Sequence, residues 1–462
     1  MEKPKVGLLP LYLKLYDEVL PGLRKDAEFF LNKIQSEITN RGIDVINGKI
    51  CTLKEEFDLE IKKFEDADAC AIITLHLAYS PSLESINSLA GTNLPIIVFD
   101  TTPDYEFGPG NNPDRIMNNH GIHGVQDMCN LLLKNGKSFY IVAGHWSKSG
   151  VIEELSNKVK SAFLAWYFKQ NRIGRIGGPF KGMGDFQVEN RLLKNIYGID
   201  VFEISPEEIA SYIPGPGEAG VKEEIKKDRE FFLPGDISED CLINSIRIGI
   251  AIRRWIEKEG LSGFTINFSA IERSTGFITM PFLEASKSMS RGIGYAGEGD
   301  TITAALNAAL LKIGPDSSFA EMFCPDWKNN MIFLSHMGEI NINAIADKPV
   351  LAEKKLPFLK LENPAIAFGR FKPGPAQIVN LAPVKDCSFN LIVSDINIED
   401  AKKDNFKNTI RGWFKPENKM VAEFLKEFSM SGGTHHSVII YGKNKDIILD
   451  FGRIMSWNTV EI

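Results

Sequence analysis

Short, unbroken apolar runs alternate with longer stretches of helical spacing through the first third of the chain. Lys5 to Leu9, Ala69 to Leu75, Pro95 to Phe99 and Ser138 to Ala143 are brief and rich in Ile and Val, without polar alternation. Strands covered on both faces of a parallel sheet have this pattern. Between them, Leu20 to Arg41 and Pro81 to Leu89 have helical spacing, with Ser80 before Pro81 as N-cap and first-turn proline. The β-α-β-α order predicts a doubly wound α/β domain over residues 1–165, whose ligands sit beyond the carboxyl ends of the strands. Three of those ends carry polar or aromatic residues: His76 to Tyr79, Asp100 to Pro103, and Gly144-His145-Trp146. Such a rim suits a small polar ligand.

A second α/β domain is expected over residues 166–325. Asn171 to Ile176 predicts a strand and Gly177 to Gly184 a flexible loop; Pro214 to Gly217 is a break. Val221 to Glu230 and Glu239 to Glu259 read as helices, Gly263 to Ala270 as a strand and Thr301 to Lys312 as a helix. From about residue 330 the pattern changes. Ile340 to Ile345, Ala365 to Phe371, Ala376 to Leu381, Phe389 to Ile396, Ser437 to Tyr441 and Asp446 to Leu449 are short and β-like, with one helix, Asn418 to Ser429, inserted. The expected fold is two doubly wound α/β domains followed by a mainly β, barrel-like domain over residues 326–462.

Composition adds exclusions. The 462 residues are 44% hydrophobic and 24% charged, ordinary globular material, and the length suggests about three domains. A net charge of −7 with no basic run argues against a sequence-independent grip on nucleic acid. No stretch approaches the roughly 18 to 20 apolar residues of a membrane span. The apolar run Val6 to Leu13 is broken by Pro10 and followed by no small-residue cleavage site, so a secretory leader is not expected. The six cysteines (Cys51, Cys70, Cys129, Cys241, Cys324, Cys387) form no Cys-x-x-Cys pair. Reduced thiols in a soluble, cytoplasmic protein are the expectation.

Candidate chemistry gathers late in the chain. Arg291 to Asp300 sets Glu298 among glycines just before a helix, where the backbone can approach a ligand closely. Alone, Glu298 would read as an acid favoured at a helix start. Glu321, read as lying in a loop, His336 at the end of an apolar run, and the pair His435-His436 complete a set that a divalent cation can collect. His120 and His123 share the segment Asn118 to Gln126. Gly292-Ile-Gly294-Tyr-Ala-Gly297 matches the dinucleotide fingerprint, but Glu284 to Ser290 before it lacks the character of a first strand, so no nucleotide cofactor is expected.

Gly294-Tyr-Ala-Gly-Glu298-Gly-Asp300, His336-Met337, Gly432-Gly-Thr-His435-His436, His123-Gly124, Gly144-His-Trp146 and Tyr79-Ser-Pro81 resemble, in order and spacing, the signature segments of the L-arabinose isomerase family. The resemblance runs from about residue 70 to 440. It implies a metal-dependent aldose–ketose isomerase, with metal ligands at Glu298, Glu321, His336 and His436 and a substrate contact at His123. Tyr79, in a matched segment, is a second candidate substrate contact. Trimers or hexamers are also implied. Two segments depart from the family. Leu8-Leu-Pro-Leu-Tyr12 stands where a glutamine-bearing segment touches the sugar, and Met322-Phe-Cys-Pro325 replaces an acidic, tyrosine-rich stretch. Hydroxyl selectivity rests on single hydrogen-bond partners, so the resemblance does not by itself settle whether L-arabinose is accepted.

Two carboxylates and two imidazoles suit Mn²⁺ or Co²⁺ better than Ca²⁺. The expected reaction on a small, unphosphorylated sugar is proton transfer through a metal-stabilised enediol, with Glu298 and Glu321 moving the proton. A sugar-binding protein without turnover, or a different metal-dependent sugar-modifying enzyme, is the alternative.

Overall fold

The computed structural model describes residues 3–148, 150–357 and 359–462, and the chain divides after Trp166 into two compact units. Met1 and Glu2 at the start of the sequence and the side chain of Cys387 lie outside the described residues.

The first unit carries β1 (Lys5–Leu11), β2 (Asp44–Asn47), β3 (Ala71–His76), β4 (Ile96–Asp100) and β5 (Phe139–Ala143). All pair in parallel in the order β2-β1-β3-β4-β5. This is a doubly wound sheet whose order reverses between β1 and β3. The unbroken apolar runs are buried: β3 has no residue open to solvent, and β1 only Lys5. Burying each such Val, Leu or Ile side chain contributes about 1.5–3 kcal/mol. Gly7 in β1 lets the Phe64 ring lie against the strand, where a Cβ would fall on it. β2 escaped the sequence reading because Asp-Val-Ile-Asn is short and polar at both ends. The helix after β3 runs Ser82–Gly91 with Pro81, not Ser80, at the N-cap. Ser82 instead turns to Asp127, with its N–H and hydroxyl at 3.1 and 2.7 Å.

The second unit contains β6 (Arg172–Ile176), β7 (Asp200–Ile204), β8 (Leu233–Pro234), β9 (Gly263–Ile266), β10 (Gly294–Gly297), β11 (Ser318–Asp326), β12 (Met331–Ser335), β13 (Val350–Glu353), β14 (Ala365–Phe368), β15 (Gly374–Pro383), β16 (Phe389–Ile398), β17 (Gly412–Pro416), β18 (His436–Tyr441) and β19 (Asn458–Glu461). A parallel sheet has the order β10-β9-β6-β7, and β14-β13-β8 form a small separate sheet. The remaining strands run β15-β18-β11-β12-β17-β16-β19, and β15 also pairs with β16. That extra pairing closes six antiparallel strands into a barrel, which removes their edges. The helix Thr301–Leu310 is buried at every residue and packs against β9 and β10 on one side and β15 and β18 on another.

Three expected strands differ. The run from Gly263 ends at Ile266 and continues as a single 3₁₀ turn, Phe268–Ala270, capped by Asn267. Ile340 to Ile345 holds another 3₁₀ turn, Ile342–Ala344. Asp446 to Leu449 lies inside the helix Lys445–Ile454, since a short apolar run fits a buried helix face as well as a strand. Among the described residues no helix is long and apolar enough to cross a membrane, and Cys51, Cys70, Cys129, Cys241 and Cys324 are free thiols.

Candidate metal centre

At the end of β10 the chain turns on Glu298, whose φ of 63° lies in the left-handed region that side-chain-bearing residues seldom adopt. The turn is over-determined, as such a conformation requires. Glu298 N–H donates to the Ile266 carbonyl at 2.9 Å, Gly299 N–H to Thr265 Oγ1 at 3.0 Å, and the Thr265 hydroxyl to the Gly297 carbonyl at 3.0 Å. Asp300, not Glu298, is the helix-start acid. Its Oδ1 accepts from the N–H groups of Ile302 and Thr303, each at 2.9 Å, and its Oδ2 meets His436 Nδ1 at 2.8 Å.

Glu321 is on a strand rather than in the loop expected from sequence. On β11 it stands in register with Ser335 of β12 on one side and His436 of β18 on the other. Adjacent strands lie about 4.8 Å apart, so barrel pairing brings Glu321 and His436 side by side, while His336 reaches Glu321 from one residue beyond the end of β12, next to Glu321's partner Ser335. His336 Nε2 is 3.1 Å from Glu321 Oε1. His436 Nε2 is 3.1 Å from the same oxygen and 3.3 Å from Glu298 Oε2. His435 also turns toward the centre, with Nε2 at 3.3 Å from Glu298 Oε2. One donor atom from each of Glu298, Glu321, His435 and His436 lies within 4.8 Å of the others. His336 joins this group through Glu321.

Each of the three imidazoles has its Nδ1 on a carboxylate of its own: His336 on Glu339 at 2.6 Å, His436 on Asp300 at 2.8 Å, His435 on Asp185 at 2.6 Å. This fixes each ring and turns Nε2 toward the glutamates, the arrangement of carboxylate-backed metal-binding histidines. Tyr295 extends one relay, its hydroxyl donating to Glu339 at 2.6 Å. His436 Nε2 is buried and in hydrogen-bond geometry with no group, although two carboxylate oxygens are within 3.3 Å. Five carboxylates against three imidazoles, with a buried ring nitrogen aimed between two of them, fit a divalent cation of the mixed oxygen and nitrogen type.

Burial opposes ionisation of both glutamates, but the imidazoles outweigh it. His435 and His436 hold Glu298 down at about 2, and His336 and His436 hold Glu321 well below the usual carboxylate range. Burial likewise opposes charge on His336, yet Glu339 and Glu321 lift it to about 10. The walls are apolar. Phe319 meets His336 and His436 edge-on at 4.7 and 5.0 Å, and Phe186 stacks on His436 at 5.1 Å.

Tyr79 and His123 belong to the first unit. The Tyr79 hydroxyl points to Asp127 at 3.4 Å, and His123 is exposed on the helix Ile122–Lys134, edge-on to His120. His76 is buried at the end of β3 with both ring nitrogens unpartnered, and burial holds its pKa down at about 3. Sequence reasoning missed the roles of Asp300, Glu339 and Asp185. Asp300 carried an N-cap signal and Glu339 sits three residues after His336, but Asp185, 250 residues from His435, left no local trace.

The L-arabinose isomerase central domain matches residues 208–316, and the L-arabinose isomerase C-terminal domain matches residues 316–458. The L-arabinose isomerase of Shouchella clausii (strain KSM-K16) is 24% identical over 99% of this chain and 93% of its own length. That of Bacillus subtilis (strain 168) is 24% identical over 90% of this chain and 86% of its own, and L-arabinose isomerase 2 of Clostridium acetobutylicum is 25% identical over 96% and 93%. A solute-binding protein from Actinobacillus succinogenes, solved with D-allose, covers 67% of this chain at 15% identity, but its TM-score of 0.18 bears on neither fold nor function. Near full-length likeness and two adjoining domain matches that span more than half of the sequence agree: the chain belongs to the L-arabinose isomerase family and is an aldose–ketose isomerase, an intramolecular oxidoreductase.

Proposed function

We propose that this isomerase acts on a small, unphosphorylated sugar by proton transfer at a divalent cation held by Glu298, Glu321, His336 and His436. The observation that carries the reading is the convergence of two ionised glutamates, from the parallel sheet and from the barrel, on imidazoles that are each backed by a carboxylate. A cation bound there supplies Lewis acidity toward a carbonyl and its neighbouring hydroxyl, and the donor set favours Mn²⁺, then Co²⁺.

Glu298 and Glu321 perform the proton transfer. One carboxylate takes the proton from C2 of the open-chain aldose, and a glutamate, now acting as acid, returns a proton to C1, while a hydroxyl proton passes from O2 to O1. Both are ionised as the base step requires. Phe186 and Phe319 pack on the buried imidazoles of His336 and His436, so the charges at those two rings act in a medium of low polarity. Tyr79 and His123 are proposed to contact the sugar, and a trimer or hexamer is proposed as the assembly.

Aldopentoses and aldohexoses are screened for ketose formation with Mn²⁺, against Glu298→Gln. At least one sugar is expected to react, with a loss of about 10²–10⁴-fold in the variant. No ketose from any of them, or full activity in the variant, contradicts the reading. With deuterium at C2, exchange with solvent is expected; complete transfer of the label to C1 would instead mean a hydride shift.

A further inference from the structure

After β6 the chain runs out into a glycine-rich strap, Gly177 to Gln187, that reaches the metal centre. Asn267 fastens its first leg, with Nδ2 donating to the carbonyls of Gly177 at 3.2 Å and Pro179 at 3.1 Å. The strap then lies on the Glu298 turn. Phe180 N–H donates to the Glu298 carbonyl at 3.1 Å, and a Cβ at Gly299 would stand 2.6 Å from the Gly178 carbonyl oxygen. Gln187 folds the strap on itself, its amide donating to the carbonyls of Phe180 at 2.9 Å and of Met183.

The end of the strap grips both histidines of the pair. Asp185 Oδ2 accepts from His435 N–H at 3.1 Å and meets His435 Nδ1 at 2.6 Å. Phe186, 3% exposed, lies 11° from parallel to the His436 ring. Two successive residues thus fix two successive imidazoles, one by charge and one by stacking. Lys181 to Asp185 are exposed or half-exposed, so burial of those residues does not account for the path.

We propose that Asp185 and Phe186 are positioning residues of the metal centre: they hold His435 and His436 with Nε2 turned to Glu298, and the strap thereby sets how tightly a divalent cation is retained. The inference rests on the metal reading above. Without Asp185, His435 loses the group that fixes its tautomer, and its brace on Glu298 Oε2 at 3.3 Å is released. Without the Phe186 ring, His436 is free to tilt away from its position between the two glutamates.

Mn²⁺ alone is titrated into the full-length wild type, D185A, D185N, F186L, K181A and E298Q, with free Mn²⁺ read by electron paramagnetic resonance and melting temperature recorded in parallel. D185A and F186L are expected to bind Mn²⁺ about 10- to 100-fold more weakly. D185N, which keeps an acceptor oxygen, recovers most of the affinity, and K181A on the exposed face of the strap leaves it unchanged. A merely structural role would lower the melting temperature and leave Mn²⁺ affinity alone. Wild-type affinity in D185A and F186L overturns the proposal; should F186L not fold, the exposed D185A decides alone. The two readings fail differently. If the wild type binds no Mn²⁺, the metal reading falls; if the wild type binds, E298Q does not, and D185A binds like the wild type, only the strap falls.

Discussion

Asp300 uses its two oxygens for two purposes. One caps the helix Thr301–Leu310 and the other holds His436 Nδ1, and the residue is 0% exposed. Serine is as good an N-cap as aspartate but its hydroxyl, already committed to the helix N–H groups, does not replace the second oxygen. Asp300→Ser keeps the cap but leaves the buried His436 Nδ1 without its carboxylate, so it is expected to lose about 1–3 kcal/mol of stability while its Mn²⁺ affinity falls about 10- to 100-fold. Asp300→Ala should lose about 1 kcal/mol of stability in addition. Thermal melts and Mn²⁺ titrations of the two variants separate these roles, and identical behaviour in both measurements would count against the division. At this scale the sequence was partly legible. The glycines around Glu298 marked it as a candidate, whereas the acid at the helix start is its neighbour two residues on, and only the backbone hydrogen bonds distinguish them.

At the scale of elements, β10 and the helix after it meet without room for a side chain. A Cβ at Gly294 would fall on the Ala304 carbonyl and the Ala308 amide. Gly294→Ala must push the helix away from the sheet, with an expected loss of about 1–3 kcal/mol in urea unfolding and a displaced Glu298 turn. Unchanged stability would show that the contact yields freely. The helices Ala219–Phe231, Glu239–Glu259 and Phe282–Ser290 are tied by a second network. Glu224 meets Arg253 at 2.9 Å and also Lys287, which reaches Asp228 at 2.7 Å. Burial raises the Glu224 pKa, but Arg253 and Lys287 outweigh it and bring it from 4.5 down to about 2. A depressed folded-state pKa stabilises above the unfolded value, so this contribution is present above about pH 4.5 and lost as pH falls toward 2. Asp228, raised by burial, offsets part of the loss. Melting temperature should drop across that window, and Glu224→Gln should flatten the drop; parallel curves for the two proteins would refute the assignment.

In the second unit as a whole, the centre draws on two architectures at once. Glu298 comes from the end of a parallel sheet, while Glu321, His336 and His436 come from neighbouring barrel strands, and the buried helix Thr301–Leu310 packs against both. A cation bound across that junction, as proposed, would tie the two together only in the folded state. By linkage, Mn²⁺ at 100 times its dissociation constant should add about 2.7 kcal/mol of stability. Calorimetry is expected to show a higher melting temperature with Mn²⁺, its reversal by a chelator, and no response in Glu321→Gln. A Mn²⁺ response in that variant equal to the wild type's would place the ion elsewhere.

Local pattern alone determined much of this protein. Unbroken Ile and Val runs specified the parallel strands β1, β3, β4 and β5, 3.6-residue spacing located the helix Glu239–Glu259 to the residue, and ordered short segments identified the family. Those signals are written within a few residues of each other, so no fold is needed to read them. The placement of Glu321 on β11, the carboxylate behind each imidazole, the inward turn of His435 and the helical state of Asp446 to Leu449 were decided by the tertiary structure. Strand register and hydrogen bonds between residues 136 and 250 positions apart depend on how the barrel and the parallel sheet close around a common core, and no local periodicity encodes that closure.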